Sequence, residues 1–283
     1  MNNSKLTTHS SQLAALVTEV LAANKYRHLD PGLVQHVGAQ VLRSTPQLKA
    51  AVKETKSRLH QSAAAYIRTT PHYDSWLEQL RAVPNSGPRA EGSDWEALKP
   101  LCLRIMAQHA STYERIPHLE RFYQAIFAAL EPVSHVLDLG CGLNPLALPW
   151  MPLPQTVHYH ACDVFSDMLA FVGAFFRMLG QAGHVFVSDL TQQVPEQRVD
   201  CVLALKLLPV LEQLKRGSAL RLLEQLNSTQ IIVSYPMQSL GGRNRGMAAN
   251  YERQLLSMLS GKEWEVQRLD VAGELVFLIK KAL

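Results

Sequence analysis

The sequence predicts an α/β fold: a doubly wound, mainly parallel sheet that ends in an antiparallel hairpin and follows an all-α N-terminal segment. Three observations lead there. From Val133 onward, short Val/Ile/Leu-rich runs alternate with helical patterns, the rhythm of parallel strands joined by crossover helices. Before that point apolar residues recur at helical spacing without strand-like alternation. At the far end two strand-like runs, Trp264 to Val271 and Leu275 to Lys280, are separated only by Ala272-Gly273-Glu274. That connection is too short for a crossover and suits a hairpin.

Taken in order, Leu13, Leu16, Val17, Val20 and Leu21 mark a first helix, and Asp30-Pro31 reads as an N-cap with proline at the first helical position. Pro46 to Ile67 continues the helical pattern. Val83 to Ser93 is dense in Pro, Gly, Ser and Asn and reads as an exposed connection. Helical signal resumes over Trp95 to His109 and Ile116 to Leu130. The strand-like runs are Val133 to Leu139, Val157 to Val164, His184 to Val187, Val199 to Leu205 and Ile231 to Tyr235, with helical patterns at Met168–Leu179 and Pro209–Leu226. The natural division is residues 1–105, helical, and residues 106–283, the α/β domain.

With 283 residues and 47% hydrophobic content the chain can bury a large core. No apolar run reaches the roughly 20 residues of a membrane span and the N-terminus is polar, so a soluble, cytoplasmic protein without a membrane partner is expected. Cys102, Cys141, Cys162 and Cys201 are scattered with no CxxC pair, which argues for reduced thiols and no metal site. Charge is uneven. Residues 1–72 carry nine Lys/Arg against three acids, while the remainder holds 19 basic and 21 acidic residues. A basic arm on a near-neutral body is the arrangement that holds a polyanion.

Val136-Leu-Asp-Leu-Gly-Cys-Gly142 is the strongest motif. A strand runs into Asp138, and Gly140 and Gly142 let the backbone turn and approach a ligand. Asp163 ends the second strand, placed to accept from two ribose hydroxyls. Asp189 ends the third, placed to accept from an adenine amino group, with Leu190 against the ring. Three acids in register after three consecutive strands point to S-adenosylmethionine (AdoMet, product S-adenosylhomocysteine). A dinucleotide fits less well, since GCGLNP lacks the third glycine of GxGxxG and Pro145 alters the helix start after Asn144. The layout is that of a class I (Rossmann-like) AdoMet methyltransferase, by fold-level analogy.

Gly140-Cys-Gly-Leu-Asn-Pro-Leu-Ala147, His109-Ala-Ser-Thr-Tyr-Glu-Arg115, Leu205-Lys-Leu-Leu-Pro209, Ser234-Tyr-Pro236 and Ser239-Leu-Gly-Gly-Arg-Asn-Arg-Gly-Met247 together resemble one family. It is the aminoglycoside-resistance 16S ribosomal RNA methyltransferases, which act on N7 of guanine 1405. The resemblance extends to Lys56-Ser-Arg-Leu-His60, Ala65-Tyr-Ile67 and Glu274 to Lys281. It implies that His109, Ala110, Ser111 and Arg115 serve the methionine end of AdoMet, Arg115 as a bidentate partner of its carboxylate. It also implies that Gly140, Asp163, Asp189, Leu190 and Leu205 make the remaining cofactor contacts, and that Lys206 after the fourth strand faces substrate.

An N7 acceptor has a free lone pair and needs no general base, and the target base would be flipped out of its stack. Arg243 and Arg245 would hold phosphate or the vacated position, with Met247 against the base. Lys49, Lys53, Lys56 and His60 fall on one helical face. With Arg58 and Arg68 nearby, that face would meet the RNA backbone of the 30S subunit. Other targets stay open: another rRNA position, a small molecule with the helical arm as a lid, or an RNA-binding protein without activity. A monomer is expected.

Overall fold

The computed structural model describes residues 2–84, 86–88, 95–237, 247–271 and 273–281. Helices α1 (Asn2–Leu21), α2 (Pro31–Ser44) and α3 (Leu48–Ser62) pack on one another, followed by α4 (Tyr73–Arg81) and α5 (Lys99–Met106). The start of α2 is set as expected. Asp30 accepts from Gly32 N at 3.1 Å and Leu33 N at 3.2 Å, and Pro31 fills a position whose N–H would go unused.

The short α6 (Ala110–Tyr113) and α7 (Leu119–Ala128) lead to β1 (His135–Leu139). A 3-10 turn, Asn144–Trp150, replaces the usual α-helix after this strand, as Pro145 requires. Then come β2 (His158–Asp163), α8 (Ser166–Leu179), β3 (Val185–Val187), β4 (Cys201–Leu205), α9 (Leu208–Leu214), α10 (Ser218–Gln225), β5 (Gln230–Pro236), α11 (Met247–Met258), β6 (Glu265–Leu269) and β7 (Glu274–Lys280). The seven strands form one sheet in the order β3-β2-β1-β4-β5-β7-β6, and β7 runs antiparallel between β5 and β6.

Alternate residues along the strands feed two apolar clusters. Val136, Tyr159, Ala161, Leu203, Ile232 and Leu278 join one face, which is continuous with the core of the N-terminal helices from Leu16 to Met106. Leu137, Leu139, Val202, Val233 and Phe277 join the other, under α9, α10 and α11. The helical segment is thus bonded into the sheet: Asp30 N donates to Val164 O at 2.8 Å and Ser166 N to His28 O at 2.8 Å.

The helical pattern around Pro209–Leu226 is realised as two helices, with the chain breaking between α9 and α10. The Glu212 carboxylate accepts from Gly217 N and Ala219 N, both at 2.9 Å, and so caps a new helix. All four cysteines are buried and unpaired with one another. Among the described residues no helix is long and apolar enough to cross a membrane.

Candidate active site

The carboxyl ends of β1, β2 and β4 and the loop after β3 open onto one cavity. Gly140, at φ +58°, faces it. A Cβ there would lie 2.9 Å from Leu207 Cδ1, and one on Gly142 (φ +51°) 2.8 Å from His109 Cε1. Left-handed backbone and close neighbours together explain why the turn carries glycines. The turn is tied across strands: Cys141 N donates to Cys162 O, and Gly142 N to Asp163 Oδ2, both at 2.9 Å.

Asp163 lines the cavity and also accepts from Val164 N at 2.6 Å. Burial raises its pKa, and the backbone N–H groups of Gly142, Val164 and Phe165 oppose the rise. Asp189 lines the cavity beside Leu190. Its Oδ1 accepts from Thr191 N at 2.9 Å and Thr191 Oγ at 2.6 Å, while its Oδ2 is buried without a partner. An orphaned buried carboxylate oxygen is costly, so it marks a place where a ligand donor fits.

His109, Ser111, Leu205 and Lys206 line the same cavity. Burial, and then the charges of Lys206 and Arg115, lower the His109 pKa to about 4, so the ring is neutral at physiological pH. Its Nδ1 lies 2.9 Å from Ser111 Oγ, and Tyr66 stacks on it at 6.0 Å.

Four residues expected at the cofactor do not line this cavity: Ala110, Arg115, Asp138 and Gly142. Asp138 is turned into the core, where its Oδ2 accepts from Asn144 Nδ2 and Tyr159 OH at 2.9 Å each. Burial pushes its pKa up to about 7. Arg115 is buried, and its fork is filled by Glu274: Nε to Oε1 at 2.8 Å and Nη2 to Oε2 at 3.1 Å, with Nη1 reaching Asn144 Oδ1 at 2.6 Å. A desolvated carboxylate on β7 is a strong partner for a desolvated guanidinium, which the motif spacing does not reveal.

A second cavity adjoins the first. Tyr66, Ser111, Lys206 and Val210 line both, and Glu114, Gln213, Pro236, Met247 and Tyr251 complete it. Lys206, at φ +58°, is the one non-glycine with positive φ among the described residues, a strain that persists only where the surroundings hold it. Its ammonium donates to Ser111 O at 3.1 Å and Glu114 Oε2 at 2.7 Å, and lies 3.3 Å from Glu274 Oε1 as an ion pair. Lys206 therefore joins three elements around the junction of the two cavities.

The α3 face is as expected for Lys49 and Lys53, both exposed, with Lys56 half-buried and His60 exposed. Arg58 departs from it. Two residues past Lys56, it lies on another side of the helix and pairs with Glu54 at 2.9 Å. Arg68 is exposed but stacks over the Tyr113 ring at 3.8 Å and donates to Ala107 O at 2.9 Å. Arg243 and Arg245 lie outside the described residues.

Sequence reasoning missed the wall that the N-terminal helices give the first cavity: Leu33, Ser62, Ala63 and Tyr66. It also missed Glu114 and Glu274, although the stretches holding Tyr66, Glu114 and Glu274 all belong to the family-like segments.

A sheet of this order with an antiparallel strand between β5 and β6, and a cavity lined by strand-end acids, defines the class I methyltransferase fold. The chain belongs to a particular family within it, the ribosomal RNA methyltransferases (FmrO), whose family model matches residues 22–278. It is 35% identical over 264 residues to a 16S rRNA (guanine(1405)-N(7))-methyltransferase of Micromonospora echinospora, covering 93% of this chain and 94% of the relative. A protein of the same description from Serratia marcescens is 35% identical over 266 residues, 94% of this chain and 97% of its own. Among solved structures, the 16S rRNA methyltransferase RmtF in complex with S-adenosyl-L-homocysteine superposes with a TM-score of 0.80 at 28% identity, covering 96% of this chain and 98% of that one.

Proposed function

We propose that this enzyme transfers the methyl group of AdoMet to N7 of guanine 1405 of 16S rRNA in the assembled 30S subunit. The modification would give resistance to 4,6-disubstituted deoxystreptamine aminoglycosides. The observation that carries the reading is the pair of adjoining cavities in a chain whose curated relatives carry that activity in their names. One cavity offers acceptors for a nucleoside. The other, sharing Tyr66, Ser111, Lys206 and Val210 with it, offers a seat for a base beside it.

AdoMet supplies an electrophilic methyl on a sulfonium. In the displacement the N7 lone pair forms the new N–C bond, the S–C pair stays on sulfur, and the positive charge passes to the purine ring. No proton leaves N7, so positioning is the main task of the protein. Asp163 and Asp189 would hold the ribose and adenine, with Leu190 and Leu205 as apolar walls. His109 and Ser111, with Gly140, would line the methionine end. Arg115, Ala110, Asp138 and Gly142 would act from behind it, by fixing the α6 segment and the glycine turn. Met247, in the second cavity, would lie against the flipped base, and Arg243 and Arg245 would contact RNA beside it.

Residues 1–105 would dock on the subunit through Lys49, Lys53 and Lys56, with Arg68 nearby. The enzyme would act as a cytoplasmic monomer. Charge reversal of Lys53 and Lys56 is expected to weaken 30S binding at least tenfold and flatten its salt dependence. AdoMet affinity should stay unchanged, and equal loss of both by titration calorimetry would remove α3 from the RNA interface. Asp189→Asn turns an acceptor toward an adenine amino group into an amide. AdoMet affinity should fall about tenfold, the worth of one such bond. Unaltered affinity would place the adenine elsewhere.

The deciding experiment is methyl transfer from labelled AdoMet to intact 30S subunits and to naked 16S RNA, followed by N7-specific strand cleavage. Labelled 30S cut at guanine 1405 supports the reading. A cut elsewhere keeps the enzyme and discards the target, and no label on any RNA discards both.

A further inference from the structure

We propose that Glu114 is the residue that selects guanine, by accepting from N1–H and the N2 amino group of the flipped base, and that Lys206 positions it. The inference rests on the reading above and adds to it the basis of base choice.

Glu114 lines the second cavity and not the first, whereas Ser111, Tyr66 and Lys206 line both. A purine that meets Glu114 with its N1/N2 edge can therefore turn its imidazole edge, which carries N7, toward the shared wall. The carboxylate is fixed from one side only: Lys206 Nζ donates to Oε2 at 2.7 Å. Its side chain remains 35% exposed, against 5% for that of Lys206. Lys206 is committed to protein partners, donating to Ser111 O and Glu114 Oε2 and ion-paired with Glu274. A buried, strained lysine that spends one donor on a half-exposed carboxylate holds that carboxylate in place.

An ionised carboxylate is an acceptor alone. Guanine presents two adjacent donors, N1–H and N2–H, which a carboxylate meets as a bidentate pair. Adenine presents a bare N1 to the same oxygens, and lone pairs then face each other. Rejection by an unpaired buried polar group reaches larger factors than rejection by shape. Glutamine in place of Glu114 offers one donor and one acceptor, so its amide N–H can face the bare N1 of adenine, and the same amide is set against one guanine donor.

The test is Glu114→Gln assayed for kcat/KM on 30S subunits carrying guanine, and on reconstituted subunits carrying adenine or inosine, at the target position. The wild type should methylate guanine, inosine about tenfold less for its missing N2 amino group, and adenine least. The variant should lose about 100-fold on guanine and narrow the guanine-to-adenine ratio at least as far. Its AdoMet affinity and 30S affinity should equal those of the wild type, because neither runs through this carboxylate. An unchanged ratio, or loss of AdoMet affinity in parallel with activity, overturns the inference by making Glu114 a structural partner of Lys206. Failure of the wild type to methylate 30S at all would instead sink the parent reading.

Discussion

Arg115→Ala is expected to cost about 3–5 kcal/mol of folding stability, the range for stripping one partner from a buried ion pair. Arg115 and Glu274 are 2% and 3% exposed, so bulk water does not reach the carboxylate that the lost fork would leave behind. Removing the fork leaves the Glu274 carboxylate with Ser234 Oγ at 2.6 Å and Lys206 at 3.3 Å, leaves Asn144 Oδ1 with the Tyr123 hydroxyl alone, and uncovers the face of Phe122. The apparent melting temperature should drop by about 10 °C, given a few degrees per kcal/mol for a chain of this size. A change of less than about 2 °C would show that the pair contributes nothing net.

The same pair sets an acid limit. Burial pushes the Glu274 carboxyl up, but the charge of Arg115 first, then that of Lys206, with hydrogen bonds from Arg115 and Ser234, outweigh it and hold the pKa below the usual 4.5. A depressed carboxyl binds fewer protons folded than unfolded, so its contribution is complete above pH 4.5 and is lost as pH falls through its folded value. Urea unfolding of the wild type and Glu274→Gln between pH 3 and 7 should therefore give stabilities that converge at the acid end. A constant gap across the range would assign the effect to packing alone.

The seven strands are legible in the sequence, each within two or three residues at either end: the central ones because a strand buried on both faces must be written in a run of Val, Ile and Leu, and the partly exposed β3 and β6 from the breaks that bound them. The acids at Asp163 and Asp189 are legible for a related reason: their positions follow from where strands end. What stays hidden depends on contacts between distant parts of the chain. Asp138 and Asp163 look alike as strand-end aspartates, yet one is turned inward by Tyr159 and Asn144 and the other faces the cavity. Tyr66 reaches the cavity because Ile67 bridges to His109 and Arg68 N donates to Gln108 O at 3.0 Å. Nothing in the local pattern of residues 64–69 announces either contact. Arg58 is a different case, since helical geometry alone separates it from Lys56, and counting charge without angle obscures that.

Asp163→Ala is expected to lower AdoMet affinity about 100- to 1,000-fold while leaving 30S binding intact. Two effects combine. The substitution removes the acceptor proposed for the ribose hydroxyls, and it frees Gly142 N and Val164 N, whose bonds at 2.9 and 2.6 Å hold the turn at the ligand. Hydrogen bonds to a charged group contribute about 1.5–3 kcal/mol each, and two of them account for a change of this size. Asp163→Asn keeps an oxygen for Gly142 but loses the charge, so it should fall between the two. Stability should fall less than in Arg115→Ala. Burial raises the Asp163 pKa even against three backbone donors, so alanine removes a carboxylate held at a cost, which offsets part of what the lost Gly142 and Val164 bonds contribute. An Asp163→Ala protein that melts above Arg115→Ala, yet binds AdoMet at least 100-fold more weakly than the wild type, would identify Asp163 as kept for the ligand. Weak binding with a melting temperature lowered as far as that of Arg115→Ala would show instead that the turn, and not the ribose contact, is what Asp163 supports.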